Sequence, residues 1–150
     1  MNDRDFLIGI ARDDFGAFVQ LVVQGLEREM VWGKYLDLLC DRVERLIRGE
    51  TKRLSINLPP RHLKTIVSSV CGTAFELGQN PESRIICATH SLTLSRDIYR
   101  KIVSVLESEI YREIFPRVRM QTNSSQNLEL TTSRVGGVLL ASLDSSLTGR

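Results

Sequence analysis

Apolar residues recur at helical spacing through the first part of the chain. Phe15, Phe18, Val19, Val22, Val23 and Leu26 mark one stripe, which predicts a helix capped by Asp13 or Asp14. Leu36, Leu39, Cys40, Val43, Leu46 and Ile47 mark a second, which predicts a helix from about Gly33 to Arg48 ended by Gly49. Leu54–Leu58 then reads as a short apolar strand stopped by Pro59-Pro60. A third helix is expected from about Leu63 to Leu77, with Gly78 as its break. Its small apolar residues (Ile66, Val67, Val70, Cys71, Ala74) suit burial against a sheet. Arg84–Ala88 is a continuous apolar run, as expected of an internal parallel strand. Thr89-His90-Ser91 forms its exit loop. A fourth helix, from about Leu92 to Ile114, turns Leu94, Ile98, Ile102, Val105, Leu106 and Ile110 inward and closes at Pro116. Polar Gln121–Asn127 leads into Leu128–Thr132, then Gly136-Gly137, then Val138–Ser142, a β-hairpin or two short strands.

The succession strand–loop–helix–strand–loop–helix predicts an α/β fold in which two parallel strands are joined by a right-handed crossover. The expected division is a helical lead-in over 1–50, the strand–loop–helix units over 51–115 and a hairpin segment over 116–150. Ligands of such sheets sit outside the carboxyl ends of the strands. Both unusual loops, Pro59–Thr65 and Thr89–Ser91, fall on that edge.

Composition narrows the class. The 150 residues are one domain's worth, 42% hydrophobic and 25% charged, as in ordinary soluble globular proteins. A net charge of +2 supports no nucleic-acid claim by itself. Cys40, Cys71 and Cys87 are odd in number, lack metal-ligand spacing and lie in apolar segments, so buried free thiols in a reducing compartment are expected. No apolar run approaches the ~18 residues of a membrane span. The N-terminus, with acids at Asp3 and Asp5, is unlike a signal peptide. A cytoplasmic protein with no membrane partner is expected.

The chemistry concentrates in the stretch Leu54–Thr65. A strand, a tight turn and Lys-Thr at a helix start are the layout of a phosphate-binding loop, where backbone N–H groups face an anion. In that layout Lys64 reaches the outer phosphates and the Thr65 hydroxyl coordinates Mg²⁺. Leu58 and Leu63 stand where the regular motif has glycines. His62 reads as a loop-shaping hydrogen bonder. Thr89, His90 and Ser91 are placed to sense nucleotide, although capping of the next helix already explains Ser91. Arg112, Arg117 and Arg119 form either a phosphate-contacting cluster or a solvated basic face. Asp144, the last acid, follows a turn-like segment rather than a long apolar strand.

Taken in order, these parts resemble the N-terminal ATPase region of the large terminase subunit of tailed phages and prophages. Arg53–Thr65, with Pro59-Pro60-Arg61-His62-Leu63-Lys64-Thr65, is similar to that family's variant phosphate loop, P-P-R-H-G-K-[ST]. Trp32 and the helix ending Val43–Glu50 resemble its approach to the loop. Ala88–Ser91 followed by Ser95-Arg96 resembles its next strand and helix. Gly136-Gly137 through Leu147-Thr148-Gly149-Arg150 resembles the segment before its acidic strand. The resemblance covers roughly residues 30–150.

It implies a P-loop NTPase-type parallel sheet with flanking helices, incomplete at the C-terminus, with ATP and Mg²⁺ as cofactors. Pro60, Arg61, His62, Leu63, Lys64 and Thr65 become the nucleotide-binding set, with Thr65 on the metal. Arg61 would contact phosphate or signal between subunits, and Arg150 would be an arginine finger for a neighbour in a homo-oligomeric ring. The implied function is ATP-driven translocation of double-stranded DNA, with the small terminase subunit and portal protein as partners. Leu63 is expected to crowd the site or redirect the loop, because glycine there allows close approach and positive φ. The Mg²⁺-holding and water-orienting carboxylates would follow Arg150, so this chain is expected to hydrolyse ATP poorly by itself. The alternatives are a helicase-like P-loop ATPase fragment and a catalytically dead remnant serving as an interaction module.

Overall fold

In the computed structural model, which describes residues 3–26 and 31–143, six helices and four strands share one core. Two helices open the chain, α1 (Asp3–Asp13) and α2 (Phe15–Leu26). Asp14 breaks the pair and caps α2, accepting from the Ala17 N–H at 2.7 Å. The helix α3 (Lys34–Ile47) follows, and Gly49 ends it in the left-handed region at φ 76°. The α2 and α3 helices follow their predicted apolar stripes, except that Leu46 is exposed and the Leu26 side chain lies outside the described set. The short patch of α1 gave no such signal.

The next helix, α4, starts at Lys64, passes through a π-helical stretch Ile66–Cys71 and ends as α-helix over Gly72–Gln79. Gly78 therefore lies inside it rather than ending it. Packing explains the glycine: a Cβ there would sit 2.5 Å from the Phe115 ring. The strand β1 (Arg84–Thr89) leads to α5 (Leu92–Glu107) and α6 (Glu109–Ile114). The helix expected to run unbroken to Ile114 divides at Ser108, whose ψ of 148° is extended. Its hydroxyl accepts from the Tyr111 N–H at 3.2 Å and restarts the helix.

The strands β2 (Met120–Ser124), β3 (Glu129–Thr132) and β4 (Gly137–Ser142) complete a four-stranded mixed sheet in the order β1-β4-β3-β2. The hairpin β3–β4 forms as expected, and the polar segment before it adds β2 as a third antiparallel member. Among the described residues β1 and β4 are the parallel pair, with Ile85 opposite Val138 and Cys87 opposite Leu140. Two expectations fail here. Leu54, Ile56 and Leu58 lean half-buried on the core, but the segment Leu54–Leu58 joins no ladder and is not a strand. Consequently no crossover pairs it with β1. Nor is β1 internal: it has β4 on one side alone, and its residues alternate between exposed and half-buried.

The core lies where α2, α4 and α6 meet. Phe15, Phe18, Phe75, Tyr111 and Phe115 form a ring cluster with centroids 5.2–6.4 Å apart. The buried Tyr111 hydroxyl donates to the Ala74 carbonyl at 2.9 Å, satisfying its one polar atom. Leu130, Val138 and Leu140 carry the core onto the sheet's inner face, where α5 packs on β1 and β4. No helix among the described residues is long and apolar enough to cross a membrane.

Candidate functional site

The segment 58–65 folds as a tight loop running into the first turn of α4. Arg61 and Leu63 both take left-handed backbone, at φ 63° and 56°, while His62 between them does not. Alternation of this kind turns neighbouring N–H groups toward one side, the device by which backbone nests hold anions. Non-glycine residues rarely adopt that region, so two within three residues mark a loop held by its surroundings.

Three contacts hold it. The Lys64 ammonium folds back and donates to the Leu58 carbonyl at 3.0 Å, closing the loop end to end. His62 Nδ1 stands 2.9 Å from the Pro60 carbonyl, and since a carbonyl can only accept, that nitrogen carries the proton. Tyr35 of α3 meets the His62 ring edge-on at 5.6 Å. His62 is thus a loop-shaping residue, as expected. The Tyr35 buttress had no signal in the sequence, because it comes from a helix that the apolar stripe alone defines.

Leu63 answers the question its position raised. Its side chain is half-buried and packs against the core, so the cost of replacing glycine falls on the backbone angle. The loop keeps its turn through strain. Helical bonding of α4 begins with the Val67 N–H, which donates to the Leu63 carbonyl at 2.8 Å. The N–H groups of the turn before it have no partner within the helix, the usual condition of a helix start. Ser68 donates to the Lys64 carbonyl at 2.6 Å, bracing this turn just inside the π-helical stretch. Such π segments concentrate at functional positions.

The second loop is engaged in packing. Thr89 Oγ1 donates to the Ser91 carbonyl at 2.7 Å and lies 2.7 Å from the hydroxyl of the fully buried Ser95. Ser91 caps α5, accepting from the Leu94 N–H at 3.3 Å. The capping explanation of Ser91 holds, and His90 is exposed. Asp144 and Arg150, with the rest of Leu147-Thr148-Gly149-Arg150, lie outside the described residues.

The chain matches no protein-family model, no curated protein and no solved structure.

Whether these residues suit a nucleotide and its metal can be judged from the loop's own donors. Pro60–Leu63 supplies the turn, Lys64 a half-buried ammonium, and Thr65, at the first turn of α4, a hydroxyl. Among the described residues, no group of three or more His, Cys, Asp or Glu could hold a metal ion. One hydroxyl is not a metal site by itself: Mg²⁺ is commonly held through one or two carboxylates together with phosphate oxygens and water, so Thr65 could supply one ligand of such a set. The three thiols offer no competing chemistry: all are free, and burial pushes Cys40 up to about 12, with Asp37, Asp14 and Glu44 adding to the rise. Burial raises Cys71 and Cys87 as well.

Proposed function

We propose that residues 58–65 are a phosphate-binding loop and that the chain is the nucleotide-binding part of a large-terminase-type motor acting on double-stranded DNA in the host cytoplasm. The observation that supports this best is the loop geometry. A lysine opens a helix directly after a turn whose positive φ values fall at Arg61 and Leu63, the latter being the position the resembled motif gives to glycine.

In this reading the Lys64 ammonium leaves the Leu58 carbonyl for phosphate oxygens, exchanging a neutral acceptor for a charged one. Thr65 would hold Mg²⁺, which when bound supplies charge neutralisation on the transferring phosphate. Arg61, exposed on the loop, is free to meet phosphate or a neighbouring subunit. A P-loop-type sheet would require Leu54–Leu58 to join a ladder in the working assembly. The small subunit, the portal and a ring of copies belong to the same proposal.

The test is thermal unfolding with millimolar Mg-ATP and Mg-ADP. A ligand at a hundred times its Kd stabilises by about 2.7 kcal/mol, or roughly 5–10 °C for a chain of this size. The shift should vanish in Lys64→Ala. An unchanged melting temperature with either nucleotide, in the wild type and in Leu63→Gly, would instead favour the non-catalytic interaction module.

A further inference from the structure

Two adjacent clefts, of about 570 and 340 Å³, lie beside each other and share Pro116 and Val118 in their walls. Neither includes any residue of the 58–65 loop. Arg12, Arg117 and Arg134 line the larger, and Arg112 and Arg119 the smaller. The sequence showed three of these close together, Arg112 in the last turn of the fourth expected helix and Arg117 and Arg119 just after it. The fold brings Arg12 from the end of α1 and Arg134 from the β3–β4 turn to join them.

All five are exposed, and among the described residues none is in an ion pair. Arg12 donates its Nε to the Ile114 carbonyl at 2.9 Å, which fixes that guanidinium at the larger cleft. Asp13 and Glu82 are the acids in the walls, both on the larger cleft, so five cations face two anions. We infer that this double cleft is a contact surface for the phosphate backbone of duplex DNA.

The residue choice supports a phosphate ligand, because the arginine fork matches phosphate oxygens two at a time. Extent favours a polymer over a single phosphate, since the cations span two neighbouring clefts. The lining also lacks a stacking platform. Phe115 is its one aromatic residue and is 5% exposed, whereas single-strand readers display aromatic rings to bases. What remains is sequence-independent positioning on a backbone. In naming DNA over another polyanion the inference rests on the functional reading above, while the arginine arrangement stands by itself.

The test is fluorescence anisotropy with a labelled mixed-sequence duplex of about 30 base pairs, titrated at several salt concentrations. Arg117→Gln/Arg119→Gln/Arg134→Gln is the variant, chosen because these side chains are exposed and make no hydrogen bond that holds the fold. We expect wild-type binding that weakens steeply with salt. The triple variant should bind at least about tenfold more weakly at low salt. Its log–log salt slope should be shallower by roughly 2.7, or about 0.9 for each phosphate that an arginine no longer neutralises. Arg42→Gln/Arg45→Gln on α3 should bind as wild type does. Wild type that fails to bind duplex at about 50 mM salt overturns the inference, as does a triple variant with unchanged slope. Competition by polyglutamate as effective as by unlabelled duplex overturns it too. The Mg-nucleotide melting shift, measured on the same triple variant, separates the two ideas. Abolished DNA binding with the shift retained supports both. DNA binding in a wild type that shows no nucleotide shift leaves the arginine surface standing and removes the nucleotide reading.

Discussion

Leu63 carries the tension of the candidate site. An L-residue in left-handed backbone costs roughly 1–2 kcal/mol, and Leu63 bears this at φ 56° while its side chain contributes apolar packing. Glycine would remove the strain, lose the packing and add unfolded-state entropy. The expected outcome for Leu63→Gly is a stability within about 1 kcal/mol of wild type, measured by urea unfolding. Nucleotide affinity should rise by about tenfold, or roughly 1.4 kcal/mol, because glycine lets the loop backbone adjust its angle and approach phosphate in the bound state as leucine does not. Strain already present in the free loop does not enter. Unchanged affinity in Leu63→Gly would show that the backbone angle does not limit the site.

Among elements, the loop before β1 and the hairpin turn before β4 meet at one glycine. A Cβ on Gly136 would lie 2.2 Å from the Pro81 carbonyl and 2.7 Å from that of Ser83. Around it Gly137 N–H donates to the Ser83 carbonyl at 2.8 Å, and Thr132 Oγ1 donates to the Pro81 carbonyl at 2.5 Å. This junction sets the start of the parallel register between β1 and β4. Gly136→Ala must therefore push backbone apart, and we expect a loss of about 2–4 kcal/mol, read as a lower urea midpoint with unchanged m-value. Gly25→Ala, in α2 with nothing within 4 Å of the added Cβ, is the control and should not lower stability, alanine being the better helix former.

At the scale of the whole molecule, one core ties the helices to one side of the sheet. The other side is open at the β1 edge, where Ile86 is 67% exposed. Titratable groups sit inside that core. Burial raises Cys40, Cys71 and Tyr111 above their ordinary values, Cys40 to about 12 from 9.0. A folded-state value above the unfolded one means that the folded chain keeps its proton longer. Stability from Cys40 is therefore complete below about pH 9 and is lost as pH rises toward 12. The melting temperature should be level from neutrality to about pH 9 and then fall, with Cys40 accounting for roughly 2 kcal/mol by about pH 10.5. Cys40→Ala should make the fall shallower; an equally steep fall would place its cause elsewhere.

What the sequence determined by itself was local. Apolar spacing set α2, α3 and the inward positions of α5; Asp14, Ser91 and Gly49 ended or began helices through their own side chains or backbone freedom. The order proline–proline–arginine–histidine–leucine–lysine–threonine marked the loop. Tertiary structure decided everything that needs a second element. A strand exists only where another edge takes its backbone hydrogen bonds, so Leu54–Leu58 could carry an apolar strand pattern yet stay unpaired, while polar Met120–Ser124 became a strand because β3 offered an edge. Periodicity continued across Ser108, but packing decided that its hydroxyl would cap a new helix. Arg12 and Arg134, from opposite ends of the described chain, became neighbours of one cleft only through the fold. Hydrophobic pattern chooses faces; the pairing of those faces is a property of the whole chain.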